Sequence, residues 1–245
     1  MPLTPSSVAE SSESKLTAVA PAWHTAGVLL FLLGMGALSL HSRSVAQGAH
    51  ASSRVLSYAI IMASEWLIVA FIAWGARWGG ATLPSLAGRF APTWPTVLRD
   101  LGIAITYLVA AEIVLGVLTA LLGHFLHSGA NQALKNMVPH TGIETAVYLL
   151  VALTAGICEE TIFRGYLQHQ FTAWTRNAAA GIALQGILFG FAHAYQGAVM
   201  IIVITIYGCM FGMLAWWRQS LRPGMAAHFL QDAIGGILLA KLAPK

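Results

Sequence analysis

Long apolar runs separated by short polar connections set the pattern of this chain. A membrane-spanning helix needs about 20 largely apolar residues. Runs of that kind extend from Trp23 to Leu40, from Tyr58 to Ala76, and from Val97 or Leu101 to Leu122. A fourth helix is expected to open at Thr141 or Ile143, where Thr141 with Glu144 fits a capping box, and to continue to Trp174. At about 1.5 Å per residue it would be ~45 Å long, more than the hydrocarbon core. Its second half carries Arg164, Gln168, His169, Gln170 and Arg176, so that end is expected to project into water. A turn at Arg176-Asn177 leads to a fifth span ending at His193. The sixth runs from Val199 to Trp217 and the last from Met225 to Ala240, after the turn Arg222-Pro223-Gly224.

The connections differ in kind. After Trp78, a Gly/Pro-rich stretch with Pro84, Pro92 and Pro95 cannot continue a helix. Gly123 to Gly142 is polar and reads as a loop or short surface helix. Met1 to Pro21 is rich in Ser, Thr, Pro and Ala and reads as a disordered tail, without the layout of a cleaved signal peptide. Residues 22–245 are then one transmembrane domain, an all-α polytopic bundle of seven to eight helices. Gly186-xxx-Gly190 and Gly208-xxx-Gly212, on the fifth and sixth spans, are small-residue stripes that suit close helix packing.

Composition supports the membrane reading. Of 245 residues, 57% are hydrophobic and 9% charged, with a mean hydropathy of +0.71, where a soluble domain has about 25% charged residues. The net charge of +4 suits a membrane surface. No basic run with interleaved aromatics points to nucleic acid. With seven spans and the N-terminus inside, Lys15, Arg77, Arg89, Arg99, Arg164, Arg176, Arg218 and Arg222 fall on one side. Arg43, Arg54, Lys135, Lys241 and Lys245 fall on the other, and eight against five favours the first side as cytoplasmic. The expected location is the cell (plasma) membrane, with the 164–176 and 218–224 ends facing the cytoplasm. Cys158 and Cys209 form no CxxC pair and suggest neither a disulfide nor a thiolate metal site.

Three polar islands interrupt the apolar runs. Val147 to Ile157 has no charge, yet Glu159, Glu160 and Arg164 follow directly. A charge at membrane depth costs roughly 2.5–3.5 kcal/mol on the mildest scale. Glu160 and Arg164, four apart, share a helix face and can pair, while Glu159 points about 100° away. The plain alternative is an ion pair with a bystander acid. The second island is His193, in Phe189-Gly190-Phe191-Ala192-His193. A lone histidine at a helix end is more often a satisfied interfacial residue than a catalyst. The third is His228-xxx-Asp232, spaced so that the acid can orient or charge the imidazole.

Depth links the islands. Glu159 lies fifteen residues before Trp174 and His193 sixteen after Asn177, so on an antiparallel hairpin both sit roughly 23 Å from its tip. His228 and Asp232 descend from Pro223 at the same surface, so all four can share one layer. A carboxylate with imidazoles can take a proton from water for attack on a carbonyl, and a second imidazole or amide-type donor can stabilise the oxyanion. The set Glu159, His193 and His228 could instead hold Zn²⁺, assembled across helices because no His-Glu-x-x-His spacing exists. Cys158 as nucleophile with His193 as base is weaker, since Cys158 lies off the Glu159 face and buried cysteines are usually inert. Glu65 and Glu112 also lie within spans and are read as interhelical hydrogen-bonding groups.

The order Glu159-Glu160-xxx-Arg164, Phe189-xxx-His193, His228-xxx-Asp232, with Gly165-Tyr166-Leu167-Gln168 after the arginine, resembles the motifs of the CAAX-protease and bacteriocin-processing (CPBP, Abi-type) intramembrane endopeptidases. The resemblance covers Glu144 to Ala240 and does not reach the first three spans. It implies a polytopic helical fold with an intramembrane cavity and hydrolysis of a membrane-associated peptide or protein. Eukaryotic members cut the last three residues from prenylated CAAX proteins. Carried over, Glu159 with His193 would activate water, His228 and Asp232 would line the oxyanion side, and Glu160 with Arg164 would support the framework. The third motif often ends in Asn; here it is Asp232, a poorer oxyanion donor and a better metal ligand or histidine partner, which leaves the Zn²⁺ reading open. Competing readings are hydrolysis of another amide or ester, a non-catalytic immunity or scaffold protein of the same fold, and a small proton-coupled transporter.

Overall fold

The computed structural model describes residues 17–45, 54–88, 93–125 and 137–242. Their regular structure is helical: α1 (Ala22–Val45), α2 (Arg54–Ala76), the short α3 (Leu83–Ala87), α4 (Trp94–Phe125), α5 (Gly142–Thr175), α6 (Ala178–Ala192), α7 (Ala198–Arg218) and α8 (Arg222–Leu242). This is the expected all-α bundle, and the seven long helices follow the seven apolar runs. Four segments, Arg54–Gly79, Trp94–His124, Gly142–Thr175 and Ala198–Arg218, are long and apolar enough to cross a membrane, and Ala22–Leu38 and Ala178–Ala192 are shorter apolar helices. α8 falls outside both groups because it carries Arg222, His228, Gln231, Asp232 and Lys241. Most of the expected loop at 123–142 lies outside the described residues.

α5 is the central helix. Of its apolar window 56% is buried, against 22% for α2 and 17% for α4. It starts as the sequence indicates: Thr141 Oγ1 accepts the Glu144 N–H at 3.1 Å, and the Glu144 carboxylate accepts the N–H groups of Thr141 and His140. Arg54 approaches the same carboxylate at 3.7 Å and ties the start of α2 to the start of α5. α5 and α8 meet at Gly156, where a Cβ would lie 2.8 Å from Met225 O and 3.0 Å from Phe229 N. Only a residue without a side chain admits that approach, which brings the end of the Glu pair to the His228 turn of α8. The glycine stripes act as expected. A Cβ on Gly186 would sit 2.5 Å from Cys209 Sγ, and one on Gly190 would overlap Thr205, so α6 and α7 are in close backbone contact.

In the second half of α5, Glu160 to Gln168, Gln170 and Phe171 are buried in protein, while His169 and the tip from Trp174 to Arg176 are exposed. The buried polar side chains there are satisfied by protein. Gln168 donates to Gly212 O at 3.0 Å, and Gln170 accepts the Val19 and Ala20 N–H groups while donating to Ala20 O. Of the expected tail, residues 1–16 lie outside the described residues, and Val19 and Ala20 are buried against α5 by the same contacts. The start of α1 is held alongside. His24 Nε2 faces the Phe71 carbonyl at 3.0 Å and must donate to it, so Nδ1 accepts the Tyr166 O–H at 2.8 Å. Tyr166 in turn accepts the Thr25 hydroxyl at 2.9 Å.

Candidate active site

At Glu160 the chain leaves α geometry and runs to Leu167 as a π-helix, every residue of which is buried. π-helical turns widen the i→i+4 ladder to i→i+5 and gather at functional sites. Here the wide turn still brings Glu160 Oε1 to Arg164 Nη1 at 2.8 Å, with neither side chain exposed. Arg164 Nη2 donates to Gly208 O at 3.2 Å, and its guanidinium carbon lies 4.3 Å and 4.8 Å from the ring centroids of Phe189 and Phe211. Carboxylate, carbonyl and two aromatic faces together compensate a charge that the interior alone would not accept. Gly224 leaves room for the acid, since a Cβ there would lie 2.9 Å from Glu160 Oε2.

His228 joins this sealed pair to an open one. Its Nδ1 lies 3.2 Å from Glu160 Oε1 and donates to it. Its Nε2 lies 3.7 Å from both Glu159 Oε2 and Asp232 Oδ2, an ion-pair distance too long for a direct hydrogen bond. The ring is fixed by Phe211, at 5.4 Å and 30°, and by the edge of Phe189, at 6.1 Å. Exposure separates the acids: the side chain of Glu160 is 0% exposed, that of Glu159 18% and that of Asp232 36%. Glu159 Oε2 has no hydrogen-bond partner among the described residues. Glu159 and Asp232 are therefore the acids a substrate or water can reach.

His193 caps the end of α6. Its Nδ1 lies 2.9 Å from Phe189 O, so this nitrogen donates and Nε2 keeps its lone pair. Its ring packs on Phe189 at 4.7 Å and beside Tyr195 at 5.9 Å. Phe189 thus contacts both imidazoles. His193 acts electrostatically on Asp232. The structure therefore brings Glu159, Glu160, Arg164, His228 and Asp232 together, with His193 packed on Phe189, which His228 also contacts.

For the metal reading, no group of three or more His, Cys, Asp or Glu among the described residues is arranged to hold an ion. Glu159, His193 and His228 form no such group: His193 Nδ1 donates to the Phe189 carbonyl, and His228 spans Glu160 and the outer acids. The donor set does not fit Zn²⁺. Cys158 is fully buried in the apolar core, which removes it as an accessible nucleophile.

One site residue escaped the sequence reading. Glu65, on α2, interacts electrostatically with Glu159, His228 and Asp232, and its Oε2 is buried without a hydrogen-bond partner among the described residues. Tyr195 and Cys158 feel its charge as well. The available signal was that Glu65 is the single charge between Tyr58 and Ala76. Glu112, read the same way, is exposed on α4. The cluster then holds four acidic side chains against one guanidinium and two imidazoles.

Residues 141–234 match the family model described as Rce1-like, the type II CAAX prenyl endopeptidase Rce1-like proteins. That stretch contains Glu159, Glu160, Arg164, His193, His228 and Asp232. Over 100 residues the chain is 26% identical to Uncharacterized protein YpbD of Bacillus subtilis (strain 168). The match takes in 41% of this chain and 46% of that protein, so the chain spans about half the length of this curated relative. No solved structure matches the chain.

Proposed function

We propose that this chain, Rce1-like over residues 141–234, is an intramembrane endopeptidase that hydrolyses a peptide bond of a membrane-associated protein or peptide. The observation that carries the reading is the double contact of His228, with Glu160 behind it and Glu159 and Asp232 in front. A helix-stabilising ion pair needs Glu160 and Arg164 alone. It gives no reason for a second, reachable acid and a third facing the same imidazole.

In the proposed reaction, Glu159 takes a proton from water and the resulting oxygen attacks the substrate carbonyl carbon. The carbonyl π electrons move to oxygen. His228, fixed by Glu160 at Nδ1, presents Nε2–H to that oxyanion. This assignment removes the difficulty of Asp232, which cannot donate as Asn would. The acid instead supports the charge on His228. When the tetrahedral intermediate collapses, the C–N bond breaks and Glu159 returns its proton to the leaving amine. His193, held by Phe189 O and acting electrostatically on Asp232, adds an imidazole beside the cluster, and Glu65 adds a carboxyl that holds or releases a proton within it. Because Glu159, His193 and His228 form no metal-holding group among the described residues, no step is routed through Zn²⁺.

The site lies toward the end of the bundle marked by Arg99, Arg218 and Arg222, so the positive-inside rule makes that end cytoplasmic in a cell membrane. A prenylated CAAX C-terminus is the first substrate class to test, given the family description. The decisive experiment incubates purified protein in bilayers with a lipid-anchored peptide, comparing wild type with Glu159→Ala, His193→Ala and His228→Ala. Loss of cleavage in all three, with unchanged melting temperatures, supports the mechanism. Full activity of Glu159→Ala refutes it.

A further inference from the structure

A groove of about 680 Å³ runs between α4 and α7, and its Tyr107 wall backs onto Phe211. Arg99, Gly102 and Ala110 line one wall, and Met210, Met213 and Trp217 line the other. On α4 these positions repeat at helical spacing, so the wall is one continuous face. From Arg99 to Ala110 is eleven residues, about 17 Å along the axis. That is close to half the ~30 Å hydrocarbon core, so the groove is one leaflet deep.

Its mouth is cationic. Asp100 is approached by Arg222 at 3.0 Å, Arg218 at 3.3 Å and Arg99 at 3.9 Å. Three guanidiniums less one carboxylate leave a local charge of +2. Arg99 is 59% exposed, and Trp217, beside the Arg218 guanidinium at 5.3 Å, is 63% exposed. Tryptophan and arginine at such a level mark the headgroup region. The walls below are mainly apolar, with the Thr106 and Tyr107 hydroxyls as their polar groups, too few for a peptide backbone, whose N–H and C=O groups need partners at membrane depth. A ligand that fits must be anionic at one end and hydrocarbon for the length of a leaflet.

We propose that this groove is a binding site for one anionic phospholipid, with its phosphate at Arg99 and an acyl chain between α4 and α7. The site does not depend on the hydrolytic reading and can be tested without substrate. Gly102 supplies a clean probe, because a Cβ there meets no atom within 4 Å and a large side chain would fill the groove rather than disturb the fold.

The test is native mass spectrometry of the full chain released from detergent micelles, with phosphatidylglycerol, phosphatidylcholine or inorganic phosphate added. The expected result is one phosphatidylglycerol per chain, held roughly tenfold more tightly than phosphatidylcholine. Arg99→Ala should weaken phosphatidylglycerol about fivefold, and Gly102→Trp should abolish its retention at an unchanged lipid-free melting temperature. Equal retention of the two lipids, or Arg99→Ala binding like wild type, overturns the proposal. Inorganic phosphate displacing the lipid stoichiometrically also overturns it, since the tail would then contribute nothing. Should Gly102→Trp fold poorly, the Arg99→Ala comparison decides alone.

Discussion

His228 Nδ1 lies 3.2 Å from Glu160 Oε1, and that carboxylate has no solvent-exposed surface. The imidazole is therefore anchored from behind, and only its Nε2 faces the acids that a substrate can reach. The two neighbouring glutamates consequently have separable duties, and they should fail in different ways.

Glu159→Gln should leave the melting temperature unchanged and lower the cleavage rate by about 10²–10⁴-fold, the range of a lost general base. Glu160→Gln should do the reverse in order of cause. It strands Arg164 without its anion, which costs about 3–5 kcal/mol for a broken buried pair, and activity falls because the bundle loosens. Thermal denaturation alongside a cleavage assay separates the two; equal melting temperatures for both variants would contradict the division.

Glu65→Gln replaces a buried carboxyl that interacts with Glu159, His228 and Asp232 by an amide that can neither take up nor release a proton. The pH–activity profile should therefore change shape, with the protein still folded. A profile superimposable on wild type would confine Glu65 to packing.

Gly156→Ala places a methyl group 2.8 Å from Met225 O, against backbone that cannot rotate away. α8 must shift from α5, at about 1–3 kcal/mol for overpacking, and His228 moves off Glu160 with it. Activity should fall more than Glu159-independent stability does. A crosslinking yield between cysteines introduced on α5 and α8 should drop in parallel; unchanged yield and rate would show that the approach is not limiting.

Gln170→Ala unpairs the N–H groups of Val19 and Ala20 at once. Each buried group left without a partner costs about 1–3 kcal/mol. The variant should melt earlier and become susceptible to proteolysis near residues 17–21, while retaining cleavage activity, because Gln170 does not touch the site.

Much of this was legible in the residues. Run lengths placed the seven long helices, Thr141 with Glu144 marked the start of α5, and the spacing of Glu160 and Arg164 announced their contact. Polar side chains misled where the partner was remote in sequence: Gln170 reads as a surface residue until Val19, some 150 positions away, supplies its donor. Glu65 was hidden for a similar reason, since no local pattern says which face of α2 meets α5. Depth counting put His193 level with Glu159 but could not see that both imidazoles pack on Phe189. Helical-wheel arithmetic assumes one period throughout, and α5 has two.

The π-helical stretch divides α5 into two separately indexed halves. Up to Glu159 the helix presents Val151, Ala152 and Ala155 as buried positions; beyond Leu167 it presents Gln168, Gln170 and Phe171. A chain wound uniformly from Thr141 could not hold both faces, because the phase accumulated across Glu160–Leu167 would be different. Deleting one residue there would act as a rotational slip, turning Gln170 away from Val19 while Glu159 stayed in place. The stretch thus sets the angular offset between the catalytic half of the helix and the half that holds the chain's N-terminal segment.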